Sequence, residues 1–109
     1  MKWKDLKSES QIAEIRENSK LRPQVIFKHS IRCGISAVAK SRLDKWQPTA
    51  DFDFYYLDLI NNRALSNKIA TEFHVYHESP QVLVIKHGEC VYDESHLSIS
   101  VQDIIFHAA

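Results

Sequence analysis

The sequence has no excess of charge of either sign, because 14 Lys and Arg residues are balanced by 14 Asp and Glu residues. Without a basic surplus, an electrostatic footprint for nucleic acid is not expected. The chain also lacks an apolar run of membrane-spanning length. Its charged start, residues 1–5, lacks the apolar region of a secretory signal. These absences predict no nucleic-acid partner, no membrane partner and a cytoplasmic location.

Cysteine is scarce, with only Cys33 and Cys90 among 109 residues. Two cysteines in a chain without a secretory signal do not form a disulfide framework. In a reducing cytoplasm a thiol is more often inert or catalytic than bridged. The sequence also has no internal repeat, linker or low-complexity tract. Residues 1–109 are therefore predicted to form a single domain, which can bury a core without disulfides or metals.

Alternating apolar runs and helical periodicities predict an α/β fold with the order β-α-β-α-β-α-β-β-α. Strands are expected at residues 3–6, 24–29, 52–57, 81–86 and 89–92. Four helices are expected. The first ends near Asn18, the second spans Cys33 to Gln47, the third ends near His74, and the fourth spans Val101 to His107. Their expected caps are Ser8 or Ser10, Asn61 or Asn62, and Ser100. His87-Gly88 predicts a two-residue hairpin turn.

Cys33 stands at the predicted start of the second helix, where unpaired backbone amides favour negative charge. Lys28 and Arg32 add positive charge nearby in the sequence, and the Ser36 hydroxyl can reach back toward the sulfur. These features predict a lowered pKa for the Cys33 thiol, whose thiolate is the nucleophilic form. The alternative is a small buried cysteine without chemistry, the commonest fate of a free thiol.

In Cys33-Gly34-Ile35-Ser36 a serine occupies the place of a resolving cysteine. A one-cysteine site holds its intermediate as a mixed disulfide until an outside thiol attacks it. The predicted hairpin pairs Cys90 with Ile85, which puts Cys90 roughly 16 Å along the strand from Pro80. Bridging cysteines need Cα atoms within about 7 Å. Cys90 is therefore interpreted as structural.

Pro80 opens the predicted fourth strand. Proline donates no ladder hydrogen bond, so it belongs at the first residue of a strand. Bonds preceding proline are also the usual place for cis peptides. The residues alone leave open whether Pro80 is cis or an ordinary trans strand-breaker.

These motifs resemble those of the monothiol bacilliredoxins, thioredoxin-like proteins of the bacillithiol system. The resemblance covers most of the chain. It rests on Phe27 to Ser30 before Arg32-Cys33, on Ile35-Ser36, on His77 to Gln81, and on Ser95-His96. It implies a thioredoxin-like fold with a central mixed sheet of four to five strands flanked by helices. It further implies that Cys33 is the nucleophile, that Pro80 is cis, and that mixed disulfides between proteins and bacillithiol are reduced.

The resemblance also implies a thiol-binding surface. The backbone of Ser79, beside Pro80, would bind the peptide-like part of the thiol as an added strand would. Bacillithiol carries an anionic malate group, so charged residues are candidate partners. The expected set comprises catalytic Cys33 and Ser36, with Lys28, Arg32, Gly34, Ser79, Pro80, Ser95 and His96 in thiol binding. Ser95 has an alternative role as a turn or helix-cap residue.

The partners that follow are bacillithiol or another low-molecular-weight thiol, as co-substrate, and bacillithiolated client proteins. No bound cofactor and no metal are expected. One departure concerns Gly34, where the family more often has proline. Cys33 to Ser36 thus also resembles the Cys-Gly-Phe-Ser motif of monothiol glutaredoxins, which carry iron–sulfur clusters with glutathione. Those proteins have paired glycines after the last strand, which residues 91–96 lack.

Two alternatives to the exchange activity therefore stay open: an iron–sulfur cluster carrier and a non-catalytic thioredoxin-like binding protein. Other signals are weaker. His74 and His77 are interpreted as solvated polar residues, because two histidines without Cys or acidic partners are poor evidence for a metal. His29 either influences Cys33 or is a strand-end residue satisfied by backbone groups. The aromatic stretch at residues 52–56 is interpreted as core packing.

Overall fold

The computed structural model describes residues 2–30, 34–46 and 51–108. Within them the strands are β1 (Trp3–Asp5), β2 (Gln24–His29), β3 (Asp53–Asp58), β4 (Gln81–Lys86) and β5 (Glu89–Ser95). The helices are α1 (Ser10–Asn18), α2 (Gly34–Asp44), α3 (Arg63–Phe73) and α4 (Val101–Ala108), with a 3₁₀ turn at His96–Ser98. The predicted element order is confirmed. None of the described helices is both long enough and apolar enough to span a membrane.

The strands form one mixed sheet in the order β1-β3-β2-β4-β5. β1, β3 and β2 are parallel, whereas β4 runs antiparallel to β2 and β5 antiparallel to β4. All six residues of the central strand β2 are buried, as expected for a strand covered on both faces. This topology brings the end of β2 and the start of β4 to the same edge of the sheet.

Helices cover both faces of the sheet. The core on one face includes Ile26 with Ile15 of α1 and Ile69 of α3. The core on the other face includes Phe27 with Leu43 of α2 and Ile104 of α4. Each fully buried side chain of this size contributes about 1.5–3 kcal/mol. Side chains alternate along a strand, so Lys28 follows Ile26 onto the face that α3 covers.

The aromatic stretch is part of the core, which confirms its interpretation. Phe54 and Tyr55 of β3 are 5% and 2% exposed. The Phe54 ring makes edge contacts with Trp3 and Trp46 at centroid distances of 6.1 and 5.2 Å. These rings pack the start of β3 against β1 and the end of α2.

The hairpin turn has the predicted geometry. His87 and Gly88 have φ angles of 53° and 81°, the pair of left-handed residues that a two-residue turn of type I′ requires. The Gly88 N–H donates to Ser19 Oγ at 2.8 Å, and the His87 N–H donates to the Ser19 carbonyl at 3.0 Å. The turn is therefore tied to the end of α1.

The predicted caps are only partly correct. Ser100 Oγ accepts the Asp103 N–H at 3.2 Å, which confirms the cap of α4. The serine cap of α1 is wrong, because Glu9 occupies the cap position without a side-chain capping bond. Gln11 Oε1 accepts the N–H groups of residues 7 and 8, which lie before the helix. Asn62 holds the cap position of α3, but its amide donates to the Asp58 carbonyl and caps nothing.

Several boundaries differ from the prediction. β5 continues to Ser95 rather than ending at Tyr92, because its outward charged residues lie on an exposed edge strand and conceal the alternation. β3 starts and ends one residue later than predicted, and α4 ends one residue later. Helix α2 ends at Asp44, before the predicted end. Its predicted first and last residues, Cys33 and Gln47, lie outside the described residues.

Candidate functional site

The site is built where β2 ends and β4 begins. Lys28 pairs with Gln81 across the antiparallel ladder, and Gln81 pairs in turn with Ser95. The Ser79–Pro80 peptide bond is cis, as the resemblance implies, and Pro80 is buried directly before β4. The backbone thus brings four of the predicted site residues to one edge of the sheet: Lys28, Ser79, Pro80 and Ser95.

Cys33 and Arg32 lie outside the described residues, so their positions and roles stay predictions. Gly34 is the first residue of α2. Apart from its chain neighbours and the backbone of its own helix, no atom of the residues that the structure describes lies within 4 Å of the point where a Cβ would project from Gly34. Crowding therefore does not require a glycine at this position.

Ser36 is fully buried at the start of α2. Its Oγ lies 2.7 Å from Nδ1 of His29 and accepts the Ser30 N–H at 3.0 Å. The hydroxyl thus joins the end of β2 to the first turn of α2. Its predicted contact with the Cys33 sulfur stays a prediction, but the hydroxyl already has two partners elsewhere.

His29 is 5% exposed and contacts the rings of Phe27 and Tyr56. Its ring is satisfied at Ser36 by the side-chain hydroxyl and by a backbone group of the same residue, so the interpretation as a strand-end residue satisfied by backbone groups is correct in part. Burial, followed by the positive charge of Lys40, lowers the pKa of His29. The imidazole is therefore neutral at pH 7.

Lys28 does not present its ammonium to solvent. The side chain is 0% exposed, and Nζ donates to the Ser66 carbonyl of α3 at 3.2 Å. Nζ also lies 3.4 Å from Nδ1 of His77. Burial lowers the pKa of Lys28 to about 8. The position corrects the expectation that Lys28 could pair directly with a ligand carboxylate from this strand.

His77 is half-buried, so its interpretation as a solvated residue is wrong. Its Nδ1 lies 3.1 Å from Ser66 Oγ as well as near Lys28 Nζ. Burial, followed by the positive charges of Lys28 and Arg63, lowers the pKa of His77. The ring is therefore neutral at pH 7 and accepts a hydrogen bond at Nδ1.

His96 lies beside Pro80 at the surface. Its N–H donates to the Pro80 carbonyl at 3.0 Å, and its φ angle is 58°. Its Nε2 lies 3.1 Å from Oε2 of Glu78, and about half of each side chain is exposed. The backbone thus fixes His96 next to the Ser79–Pro80 bond, while its ring is shared with an internal carboxylate.

Two serines lie near Pro80. Ser79 directly precedes it, and Ser95 ends β5, the strand that pairs with β4. Ser79 Oγ is buried and has no hydrogen-bond partner among the residues that the structure describes. Ser95 is the last residue of β5, and its N–H donates to the Glu94 carboxylate at 3.0 Å. Although Ser95 precedes the 3₁₀ turn, its hydroxyl makes no capping bond. The alternative role of Ser95 as a turn or helix-cap residue is therefore correct in position, but its side chain does not cap the turn.

Cys90 lies away from this edge. It pairs with Ile85, as predicted, and packs partly buried against the α1–α3 core. Its Sγ lies 3.3 Å from the Tyr92 carbonyl, and burial raises the pKa of the Cys90 thiol to about 11. Cys90 is therefore protonated at neutral pH, in keeping with a structural role.

The described residues contain no group of three or more His, Cys, Asp and Glu side chains that could hold a metal ion. His74 ends α3 in a left-handed conformation with φ of 55°. His77 directs its Nδ1 inward to Lys28 and Ser66.

Sequence reasoning missed the connections of Ser66, His77 and Glu78. His77 and Glu78 belong to the stretch before Pro80 that carries the resemblance, so their proximity to the site could have been inferred. Ser66 contacts Lys28 although the two residues are 38 positions apart in the sequence. No local pattern indicates that contact.

Comparison with known sequences and structures identifies the family and the fold. A family model described as Monothiol bacilliredoxin BrxC matches residues 4–104 of the chain. A solved structure, described as a proposed oxidoreductase with a thioredoxin fold, is 34% identical in sequence and superposes with a TM-score of 0.86. That similarity covers 98% of this chain and 94% of the other.

More distant structures have the same fold. A mutant thioredoxin from Halobacterium salinarum is 12% identical, with a TM-score of 0.75 over 99% of this chain and 92% of the other. The thioredoxin of Malassezia sympodialis is 17% identical, with a TM-score of 0.75 over 96% and 90%. At these identities the similarity shows the fold alone. The thioredoxin fold that the resemblance implies is thus confirmed.

Proposed function

The chain belongs to the monothiol bacilliredoxin family, and from this we propose that it is a thiol–disulfide oxidoreductase that removes bacillithiol from cytoplasmic proteins. The observation that carries the proposal is the family match over residues 4–104. That span includes Cys33 and every other residue predicted for the site.

The surroundings of Ser36 and Cys90 support a one-thiol mechanism. Ser36 stands where a two-cysteine motif has its second thiol, and its buried hydroxyl is bonded to His29 and Ser30. Cys90 has a thiol pKa of about 11 and lies on the opposite face of the sheet from α2. Neither residue is suited to attack a disulfide on Cys33. The second half of the reaction therefore needs an outside thiol.

The reaction balances with bacillithiol as the reductant. The Cys33 thiolate attacks the bacillithiol sulfur of the client mixed disulfide, and the client leaves as a thiolate that takes a proton from water. Bacillithiol is then held on Cys33 by a disulfide bond. The thiolate of a second bacillithiol attacks that bond, releases bacillithiol disulfide and restores the Cys33 thiolate.

The bound thiol would contact Ser79, which precedes Pro80, and His96, which lies beside Pro80 in the fold. The Ser79 backbone would pair with the peptide-like portion of bacillithiol. His96, fixed next to Pro80, and Arg32 would meet the malate carboxylates. Lys28 would act from within the fold rather than by contact, since its amine is buried.

Intact-mass spectrometry tests the exchange. The protein is purified without oxygen and mixed with a bacillithiolated test protein of different mass. We expect one bacillithiol mass to move to the wild type and to a Cys90→Ser variant, and none to move to Cys33→Ser. Free bacillithiol should then remove the added mass.

The other outcomes identify the alternatives. If no mass transfers and the protein carries a visible chromophore that Cys33→Ser lacks, it is an iron–sulfur carrier. If neither mass transfer nor a chromophore is observed, the chain is a thioredoxin-like binding protein without turnover.

A further inference from the structure

We propose that Lys28 is a positioning residue for thiol exchange, because its buried amine holds the segment from His77 to Ser79 against the sheet. The inference rests on the proposed function, in which the Ser79 backbone receives the mixed disulfide. Lys28 would not touch the ligand. It would act through His77, which precedes Ser79 by two residues.

The Lys28 amine joins three elements. The residue belongs to β2, and its Nζ donates to the Ser66 carbonyl of α3 at 3.2 Å. The same Nζ lies 3.4 Å from Nδ1 of His77 in the segment before Pro80. Ser66 Oγ, 3.1 Å from that Nδ1, closes the cluster. Displacement of the segment from β2 would break contacts with both β2 and α3.

Among the described residues, a second side-chain contact of this segment is weaker. Glu78 contacts His96 at 3.1 Å, but about half of each side chain is exposed. Exposed ion pairs contribute little, because water screens them. Lys28, by contrast, is 0% exposed, and hydrogen bonds gain strength in such an environment. The buried contact is therefore the better candidate for fixing the segment.

Packing alone gives no reason for a lysine at this position. The contacts of Nζ are with neutral acceptors, and no carboxylate of the described residues lies within salt-bridge distance of it. A buried charge without a counter-charge destabilises the folded state. An apolar side chain would extend the core that already contains Ile26 and Ile69. The amine therefore has a use other than stability.

The charges around the cluster favour a charge-assisted bond at neutral pH. Burial has the largest effect on the pKa of His77 and lowers it. The positive charges of Lys28 and Arg63 lower this pKa further, whereas the negative charge of Glu78 raises it. The His77 ring is thus an uncharged acceptor. Lys28 has a pKa of about 8, so below pH 8 it donates as an ammonium. Bonds to a charged donor are roughly twice as strong as neutral ones, so the tie weakens above pH 8.

Steady-state kinetics with a bacillithiolated test protein measures the effect. We expect Lys28→Met to raise KM about tenfold and to leave kcat within about twofold, because binding is lost and chemistry is kept. Lys68→Met, which removes an exposed charge from α3, should match the wild type. In the wild type KM should rise between pH 7 and 9, and in Lys28→Met it should not. A folded Lys28→Met variant with wild-type KM at pH 7 overturns the proposal.

Substitutions of His77 give an independent measurement. The Asn Oδ1 lies near the place of a histidine Nδ1, so His77→Asn keeps an acceptor for Lys28, whereas His77→Leu removes it. We expect His77→Leu to raise KM as Lys28→Met does and His77→Asn to recover most of the loss. The Lys28→Met, His77→Leu double variant should be no worse than either single one. Additive losses would mean that the two residues act separately.

A substrate-free experiment separates this proposal from the proposed function. The Gln81 amide, opposite Lys28 in the ladder, is followed by NMR from pH 7 to 9. A chemical-shift titration with a midpoint near 8 in the wild type, absent from Lys28→Met, supports the coupling of Lys28 to this edge. Its absence in the wild type overturns the coupling. Failure of the wild type to turn over the mixed disulfide, with that titration present, overturns only the proposed function.

Discussion

The Ser36 hydroxyl lies 2.7 Å from Nδ1 of His29, and both groups are buried. The same oxygen accepts the Ser30 N–H at 3.0 Å. One hydroxyl therefore connects the two sides of residues 31–33, the end of β2 and the start of α2. Ser36, which replaces a second thiol in the motif, therefore joins the segments that precede and follow the predicted nucleophile in the sequence.

Ser36→Ala should lower the free energy of unfolding by about 1–3 kcal/mol, because the His29 ring nitrogen and the Ser30 N–H would be buried without partners. Urea unfolding at pH 7 measures the change. Ser41→Ala, an exposed serine on the same helix, is the control and should change stability by no more than about 0.5 kcal/mol. Equal effects of the two substitutions would contradict the structural role.

Stability should fall as the pH is lowered from 7 to 5. Burial lowers the pKa values of His29 and His77 below their ordinary 6.5, so the unfolded chain binds protons first as the pH falls. Each histidine should therefore contribute to a loss of stability between pH 7 and pH 5. Urea unfolding at pH 7, 6 and 5 measures it.

A His29→Asn variant provides the comparison for this pH dependence. It should show a shallower decline than the wild type, because the contribution of His29 is then removed. The carboxylates with lowered pKa values lose their contribution at more acidic pH, since their unfolded values lie near 4. A wild type of constant stability between pH 7 and 5 would show that the two rings are not held neutral.

Lys28→Met should stabilise the protein at pH 7 while weakening exchange. The native pKa of about 8 lies below the ordinary 10.5, so the folded state carries the cost of a buried charge below pH 8. That cost disappears as the pH rises toward 10.5. The gain at pH 7 should be about 1–3 kcal/mol, and the difference from the wild type should shrink between pH 8 and 10. A variant that is less stable at pH 7 would refute this explanation.

The two glycines should respond to alanine in opposite directions. Gly34 has open space at the Cβ position, so Gly34→Ala should stabilise the chain by about 0.4–1 kcal/mol through the unfolded state. Gly88 has a φ of +81°, where an L-residue is disfavoured, so Gly88→Ala should destabilise it by about 1–2 kcal/mol. Thermal unfolding of both variants checks the contrast, and a shift of the same sign in both would contradict it.

The sequence allowed the central elements to be predicted to the residue. β2 and β4 are short apolar runs, with Pro23 and Pro80 immediately before them, and both were placed correctly. The predicted end of β5 was wrong. An edge strand needs apolar residues on one face only, and the charged residues on its other face hide the alternating pattern. The serine cap of α1 failed because backbone carbonyls satisfy amides of its first turn: the N–H groups of Gln11 and Ile12 donate to the carbonyls of Ser8 and Glu9.

The site was predictable in outline but not in its connections. The stretch before Pro80 indicated the right edge of the sheet. The burial of Lys28 was not foreseen, because charge alone favours solvent and its partners His77 and Ser66 are 49 and 38 residues away. Alternation along β2 predicts the face of the sheet on which Lys28 lies. That α3 covers this face and buries Lys28 is known only from the folded structure.

The half-buried Cys90 has a practical consequence. With a thiol pKa of about 11, it carries almost no thiolate at pH 7, and alkylating dyes react with thiolates. If Cys33 has the lowered thiol pKa that its position predicts, rapid labelling at neutral pH would report on Cys33 alone. The native chain would then be tagged at one position, and its redox state could be followed by gel shift in a cell extract without any cysteine being removed.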